Sequence, residues 1–431
     1  MIIKKEQIIE YFKSGIKNKK EFKIGIEHEK FLFNSQNNKR IDYQKIKEMF
    51  SALLEFGWNP LFENDNIVGL NKGGKNITLE PGNQIELSGD KLNNIHEACA
   101  ESYDYLFELK QVAKKINIKI VSAGFDPISK LNEIPNNPKK RYKLMTKDMP
   151  SGGELSLDMM YRTCGTQLNL DYSSEKDFKK KFKIVNSLTP ISIALFANSS
   201  IVEKKKSNYL SYRSKVWQNT SRGGLPKLFL EDFDFEKYTD FIINFPILFI
   251  QQKENYFSGK GYNFSDFMSG NIKEINNRLP NENDLSTHLS TIFTENRLKK
   301  YIELRSMDTC GWDCLCAGPA FNVGMLYGNL DEVYELISDW DKDKIMNAYL
   351  EAPHKGFNTQ LMGKDLLYWS SVLLELSKKG LEKRDITNKS GKNEIIFLNH
   401  LQKVIDNKTT NAHHMIIKFS KDEDLNELYD K

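Results

Sequence analysis

Histidine, proline and cysteine are all scarce in this chain of 431 residues, at 7, 12 and 5 respectively. The cysteines, Cys99, Cys164, Cys310, Cys314 and Cys316, are too few and too unevenly placed for a secreted disulfide framework. Cys310, Cys314 and Cys316 stand close together, but no second CxxC or nearby histidine pair completes a zinc site, so buried thiols are the simpler reading. Long apolar runs are missing too: residues 241–250 are about half the ~20 a membrane helix needs and are broken by Pro246, which makes them core and excludes a membrane partner. Neither sign of charge dominates, since 62 basic against 58 acidic residues give +4 spread through the chain, which argues against nucleic acid as a partner. The first twenty residues lack the apolar segment of a secretory signal, and Glu6 and Glu10 do not suit a transit peptide, so a cytoplasmic location is expected. There is no GxxxxGK[ST] loop, so nucleotide phosphates would have to be held by metal ions and arginines.

What the chain does contain is a recurrent alternation of apolar residues with acids and amides. In FKIGIEHEKFLF (residues 22–33) an extended strand puts Glu27 and Glu29 on one face and Ile24, Ile26 and Leu32 on the other. Carboxylates that close must be solvated, protonated or holding a cation, so the strand is either a wet surface strand or a metal-binding one. His28 falls on the opposite face and reads as structural. Residues 76–89 read as a hairpin around Pro81-Gly82, with Glu80 and Glu86 on its polar face. Residues 156–172 read as a long strand that sets Leu168 and Leu170 against Gln167 and Asn169. In residues 300–308, Ile302 and Leu304 oppose Glu303 and Arg305. Helices are expected at 2–19, 42–56, 92–116, 179–196 despite Pro190, and 364–379, with a long loop at 126–153 and a polar loop at 211–226.

Four such segments, separated by helices, are most economically one largely antiparallel, curved sheet: an α+β fold with its apolar face on helices and its polar face as an active-site floor. Any solvated sheet shows alternation, but here the polar positions gather Glu27, Glu29, Glu80, Glu86 and Glu303. Such a carboxylate set suits Mg²⁺ or Mn²⁺, which take oxygen ligands and share them with nucleotide phosphates. Arg213 and Arg222 are candidates for clamping a substrate carboxylate, with a solvated loop arginine as the alternative for Arg222, and Arg305 for meeting developing phosphoryl charge. A two-metal phosphoesterase or nuclease would want the same carboxylates, and a non-catalytic nucleotide-binding protein is a third reading.

GIEHEKF, ITLEPGNQIELSG, RYKLM, RTCGTQLNLDYSSE, YRSKVW, LSTIF and YIELRSMD, in this order, resemble the plant-type glutamate-cysteine ligases that are shared with many proteobacteria. The match runs from about residue 21 to about residue 328, and the C-terminal hundred residues carry it weakly. The resemblance implies a glutamine-synthetase-like catalytic core over residues 1–328 and a mainly helical part at 329–431 packed on the same unit. It implies ATP-dependent ligation of the γ-carboxylate of L-glutamate to L-cysteine through a γ-glutamyl phosphate, the first step of glutathione synthesis. A related ligase with another amine acceptor is the near alternative. By resemblance, Glu27, Glu29, Glu80, Glu86 and Glu303 face Mg²⁺ (or Mn²⁺), Gln167 and Asn169 support them, Arg213 holds glutamate and Arg305 the transferring phosphoryl group. The implied partners are glutamate, cysteine and ATP, with monomer and homodimer both open. Plant members carry a regulatory disulfide, and Cys99 in HEACAE and Cys316 in LCAGPAF lie where the family's shared pair would be, so a bridge forming under oxidation is implied, with two buried thiols as the alternative. Relative to plant members the chain is read as lacking a plastid-targeting extension, and its 212–226 loop is shorter.

Overall fold

The alternation at residues 22–33 becomes β1 (Ile24–Asn34), whose burial alternates from residue 24 to residue 30 and is unbroken from there to Phe33. The computed structural model describes residues 4–422. Around β1 assemble β2 (Asn59–Glu63), β3 (Asn66–Lys72), β4 (Lys75–Leu79), β5 (Ile85–Ser88), β6 (Ile118–Val121), β7 (Gly165–Leu170), β8 (Asn296–Leu298) and β9 (Ile302–Asp308). They form a nine-stranded sheet in the order β8-β9-β7-β1-β5-β4-β3-β2, with β6 pairing the far half of β1 and every pairing antiparallel. The α+β fold with a large antiparallel sheet is therefore as the alternation indicates.

Register decides what shares a face. Arg297 lies opposite Glu303, and Glu303 opposite Asn169. Gln167 lies opposite Glu27, Glu29 opposite Glu86, and Glu86 opposite Thr78. Directly opposed residues project to the same side of a sheet, so acids and amides from distant segments collect on one floor. The register of β9 on β7 shifts between Leu304 and Met307, a bulge that carries Arg305 and bends the strand where the floor needs a cation.

The other face is apolar. Ile24, Ile26, Leu168, Leu170, Ile302 and Leu304 belong to one core that continues into Leu373, Leu374 and Leu401 of the C-terminal helices. Under β4 and β5 a second core joins Ile77, Leu79, Ile85 and Leu87 to α2 (Tyr43–Leu53) and α3 (Ile95–Lys115). Each fully buried aliphatic side chain there contributes about 1.5–3 kcal/mol relative to exposure, which fixes which face of the sheet turns inward. Asp42 and Asn94 cap these two helices by accepting from backbone N–H groups three residues on.

Several sequence expectations change. Residues 156–172 are not one strand: α5 (Ser156–Arg162) precedes β7, because Ser156, Met159 and Met160 bury at helical spacing and Asp158 pairs with Arg162 at 2.9 Å across one turn. The 126–153 loop contains α4 (Lys140–Asp148), and the 211–226 loop contains α8 (Tyr212–Trp217), which Ser211 caps. Pro190 does not sit inside one helix; it opens the second of two, α6 (Glu175–Ser187) and α7 (Thr189–Leu195), where its missing N–H has no cost. The first helix runs Lys5–Lys13, and residues 2–3 of that expectation, like 423–431 of the C-terminal part, lie outside the described residues. Cys99 and Cys316 are bonded, tying α3 to the segment after β9. Cys310 and Cys314 are bonded as well rather than being free thiols, because the turn from Gly311 brings residues four apart together; Cys164 is a buried free thiol.

Candidate active site

One cavity of about 350 Å³ opens on the polar floor, and both acidic and cationic side chains line it. Glu27, Glu29, Glu80 and Glu86 are its acidic residues; Arg297, Lys299 and Arg305 form a cationic group around Glu303, and Arg141 stands near Glu80. Gln84, Gln167, Trp217 and Glu303 complete the lining.

The acidic residues are held at close quarters by backbone. Gly165 donates its N–H to Glu29 at 2.5 Å, and a Cβ there would stand 2.7 Å from the Arg213 guanidinium and displace it. Asn169 donates to Glu27 at 2.7 Å and Thr78 to Glu86 at 2.8 Å. Glu80 sits at the β4–β5 turn, where Asn83 takes a left-handed conformation (φ 61°) and Glu80 N–H reaches the Gln84 carbonyl at 2.9 Å. A buried Arg40–Asp126 ion pair at 3.0 Å pins that turn through an Arg40 bond to the Gly82 carbonyl.

Crowded anions show in the protonation of these carboxylates. Burial, then Glu80, pushes the Glu29 carboxyl up to about 7, against the Gly165 N–H and Arg213. Burial and the neighbouring Glu80, Glu27 and Glu29 raise Glu86 well above the usual carboxylate range. A raised folded value means that stability from Glu29 is complete below its ordinary 4.5 and is lost as pH rises through about 7. The denaturation midpoint of metal-free protein is therefore expected to fall across that window, less steeply in Glu29→Gln, and Mg²⁺ is expected to restore it near pH 7. Equal pH slopes for the wild type and Glu29→Gln would show that the carboxylates are not crowded.

As the side chains stand, no three His, Cys, Asp or Glu among the described residues converge tightly enough to hold a metal ion. The donor set nevertheless fits a hard divalent cation: four carboxylates, no cysteine or histidine among the lining residues, and mutual repulsion that a cation would relieve. Glu303 does not belong with them, contrary to the sequence expectation. Its carboxylate receives Arg297 Nη2 at 2.7 Å and Arg305 Nη1 at 2.9 Å on one oxygen, and Arg297 Nε at 2.8 Å and Lys299 at 3.3 Å on the other. Three hydrogen bonds and the Lys299 ion pair thus occupy both oxygens of the carboxylate. Burial favours its neutral form, but Arg297, Lys299 and Arg305 hold the carboxyl well below the usual range.

Arg305 also donates to Gln167 Oε1 and lies over Trp217, 5.5 Å from the ring centroid. Arg213 covers the same indole at 5.3 Å but is not part of the cavity lining; it donates to the Arg305 carbonyl at 2.8 Å from behind the floor. Asn169 likewise acts on Glu27 without lining the cavity. Arg222 is not a substrate clamp in this arrangement: its guanidinium is buried on the Thr291 and Pro246 carbonyls at 3.0 and 2.8 Å, because the chain turning there leaves those acceptors without other donors close by. Arg297, Lys299 and Arg141 are the cations sequence reading missed. The two-residue spacing of Arg297 and Lys299, matched by Glu303 and Arg305 across a tight hairpin, was the available signal.

His28 is fully buried on the opposite face, its ring 5.4 Å from Tyr105 of α3, and burial keeps it neutral. His28→Leu is expected to leave turnover unchanged and to be neutral or stabilising by about 1 kcal/mol, since neither ring nitrogen has a protein partner. Loss of activity with an intact fold would overturn its assignment to the core.

Comparison with known proteins identifies the relatives. A model of glutamate-cysteine ligase family 2 matches residues 23–431. The chloroplastic glutamate-cysteine ligase of Nicotiana tabacum is 40% identical over 418 residues, 96% of this chain and 79% of that protein. Glutamate-cysteine ligase B of Oryza sativa subsp. japonica, also chloroplastic, is 39% identical over 418 residues, 96% of this chain and 83% of its own length. A crystal structure of a glutamate-cysteine ligase from Francisella tularensis in complex with AMP aligns with a TM-score of 0.53 at 14% identity, covering 94% of this chain and 86% of that one, and so shares the fold. These plant relatives are named as chloroplastic proteins, which overturns the cytoplasmic expectation drawn from the first twenty residues. With its model matched over nearly the whole described chain and with relatives of this identity and coverage, the chain belongs to glutamate-cysteine ligase family 2.

Proposed function

We propose that this cavity ligates the γ-carboxylate of L-glutamate to the amine of L-cysteine at the expense of ATP. The observation that carries the reading is that four carboxylates and the Arg297, Lys299 and Arg305 cations line one 350 Å³ cavity. Phosphoryl transfer between two anions needs charge neutralisation and alignment more than a protein nucleophile. Bound at Glu27, Glu29, Glu80 and Glu86, Mg²⁺ would supply positive charge to the ATP phosphates. A carboxylate oxygen of glutamate attacks the γ-phosphorus as ADP departs, and the cysteine amine then attacks the acyl carbon as phosphate departs. Arg305, Arg297 and Lys299 carry the charge that develops on the transferring group, and Glu303 fixes all three in place without entering the chemistry. Gln167 orients Arg305, while Trp217, Met159, Met160 and Phe249 narrow the access of water to the acyl phosphate. Arg213, through the Arg305 carbonyl and Trp217, is a positioning residue for the cationic group.

The test is Mg²⁺-dependent ADP release with glutamate present, comparing cysteine with a panel of other amines. Cysteine-stimulated turnover is expected. Release stimulated by another amine and not by cysteine would move the acceptor, and release with neither would end the reading.

A further inference from the structure

Three of the four cavity carboxylates have a hydrogen-bond donor of their own: Asn169 on Glu27, the Gly165 N–H on Glu29 and Thr78 on Glu86. Among the described residues no donor reaches the Glu80 carboxylate, so the backbone of the β4–β5 turn sets its place. That turn is gripped by the segment leading into α4. The Leu79 carbonyl accepts from Lys139 Nζ at 2.9 Å and from Tyr142 Oη at 2.8 Å. The Glu80 carbonyl accepts from Asn137 Nδ2 at 2.6 Å, and the Pro81 carbonyl accepts from the same amide at 3.3 Å. The amide is itself oriented, because its Oδ1 accepts the Lys139 N–H at 3.1 Å. Asn137 does not line the cavity, so whatever it contributes there passes through the turn.

We infer that Asn137 is a positioning residue for Glu80: by holding two successive carbonyls it fixes the peptide that follows Glu80, and with it the direction in which the carboxylate leaves the backbone. The inference rests on the reading of Glu80 as a ligand of the divalent cation. A carboxylate with no donor of its own turns toward a cation without first breaking a hydrogen bond. The backbone beneath it therefore decides whether it meets the same ion as Glu29 and Glu86, and groups that orient a ligand from outside the coordination shell tune metal affinity. Asn137 isolates this effect better than Lys139 does. Removing a neutral amide leaves the charge around the cation unchanged, whereas removing an ammonium that interacts with Glu80 and Glu86 would by itself strengthen cation binding.

The experiment titrates Mn²⁺ into the nucleotide-free full chain and follows free Mn²⁺ by electron paramagnetic resonance. Wild type, Asn137→Ala, Glu80→Gln and the double variant are compared, each with a thermal melt. Asn137→Ala is expected to raise the Kd for Mn²⁺ about tenfold, and Glu80→Gln at least as much. The double variant is expected to match Glu80→Gln, since a residue that acts through Glu80 adds nothing once that carboxylate is gone. In turnover, Asn137→Ala should raise the Mg²⁺ concentration for half-maximal ADP release by about the same factor and leave kcat at saturating Mg²⁺ within about twofold, a split that partial unfolding does not give. Should Asn137→Ala fail to fold, Tyr142→Phe removes another neutral donor from the same turn and is read in the same way. An unchanged Kd, or a double variant about tenfold weaker again than Glu80→Gln, would overturn the inference. Wild type that binds no Mn²⁺ would instead end the reading of the carboxylates as a cation site, and the inference with it.

Discussion

Arg305→Ala is expected to lower kcat/KM for ligation by about 10³-fold while the protein stays folded. The size of the loss follows from position. Arg305 lines the cavity at the bulge of β9, with a guanidinium set by Glu303 at 2.9 Å, by Gln167 and by the Trp217 ring. It is thus preorganised where the proposed transfer develops charge, with its own side chain largely buried. The fold survives because Glu303 keeps Arg297 on both oxygens and Lys299 at 3.3 Å, so no buried carboxylate is left unpaired. Arg305→Lys is expected to recover only part of the activity, since an ammonium cannot hold the planar contacts to Gln167, Glu303 and Trp217 together. The check is steady-state ADP release beside a thermal melt. Near-normal turnover in Arg305→Ala would remove it from phosphoryl transfer.

Glu86→Gln is expected to move stability and activity in opposite directions. Glu86 is 8% exposed and sits among Glu80, Glu27 and Glu29, which with burial hold its carboxyl well above the usual range. A neutral amide of the same shape removes that repulsion, so the metal-free variant should be more stable than wild type at pH 8 by about 1 kcal/mol. The gain should vanish at acid pH, where the wild-type carboxyl is protonated as well. Turnover should fall by at least ~100-fold, because the metal's several kcal/mol of charge stabilisation depends on its ligands. Denaturant titrations without metal at both pH values, together with ADP release at saturating Mg²⁺, decide it. A variant that is less stable yet active would mean that Glu86 is a structural residue held by Thr78.

A local period is enough to tell which side of a strand is polar, and that is why β1, the β4–β5 hairpin, β7 and β9 were legible. Alternation of burial from Ile24 to Lys30 follows from residue order alone. The same property misled at residues 156–162, where an apolar-polar mixture fits either period and the Asp158–Arg162 pair across one turn favours the helix. β2 and β3 were missed because several of their residues are exposed or half-buried and carry little apolar signal.

By itself, the sequence determined the acidic residues of the floor, the antiparallel α+β class, the family through its ordered motifs, and the pairing of Cys99 with Cys316 that the family implies. Only the tertiary structure decided how the charges are shared. Glu303 looks like Glu27 in a strand pattern, yet it is given wholly to Arg297, Lys299 and Arg305, while Glu27, Glu29, Glu80 and Glu86 face one another without such cations. Arg222 and Arg305 are both candidates for holding substrate charge in the sequence, yet one is spent on carbonyls and the other lines the cavity. The reason is physical: side-chain direction is set by a period of two along one strand, whereas the counter-charge that a side chain meets depends on cross-strand register, a bulge, and loops closing over hundreds of residues.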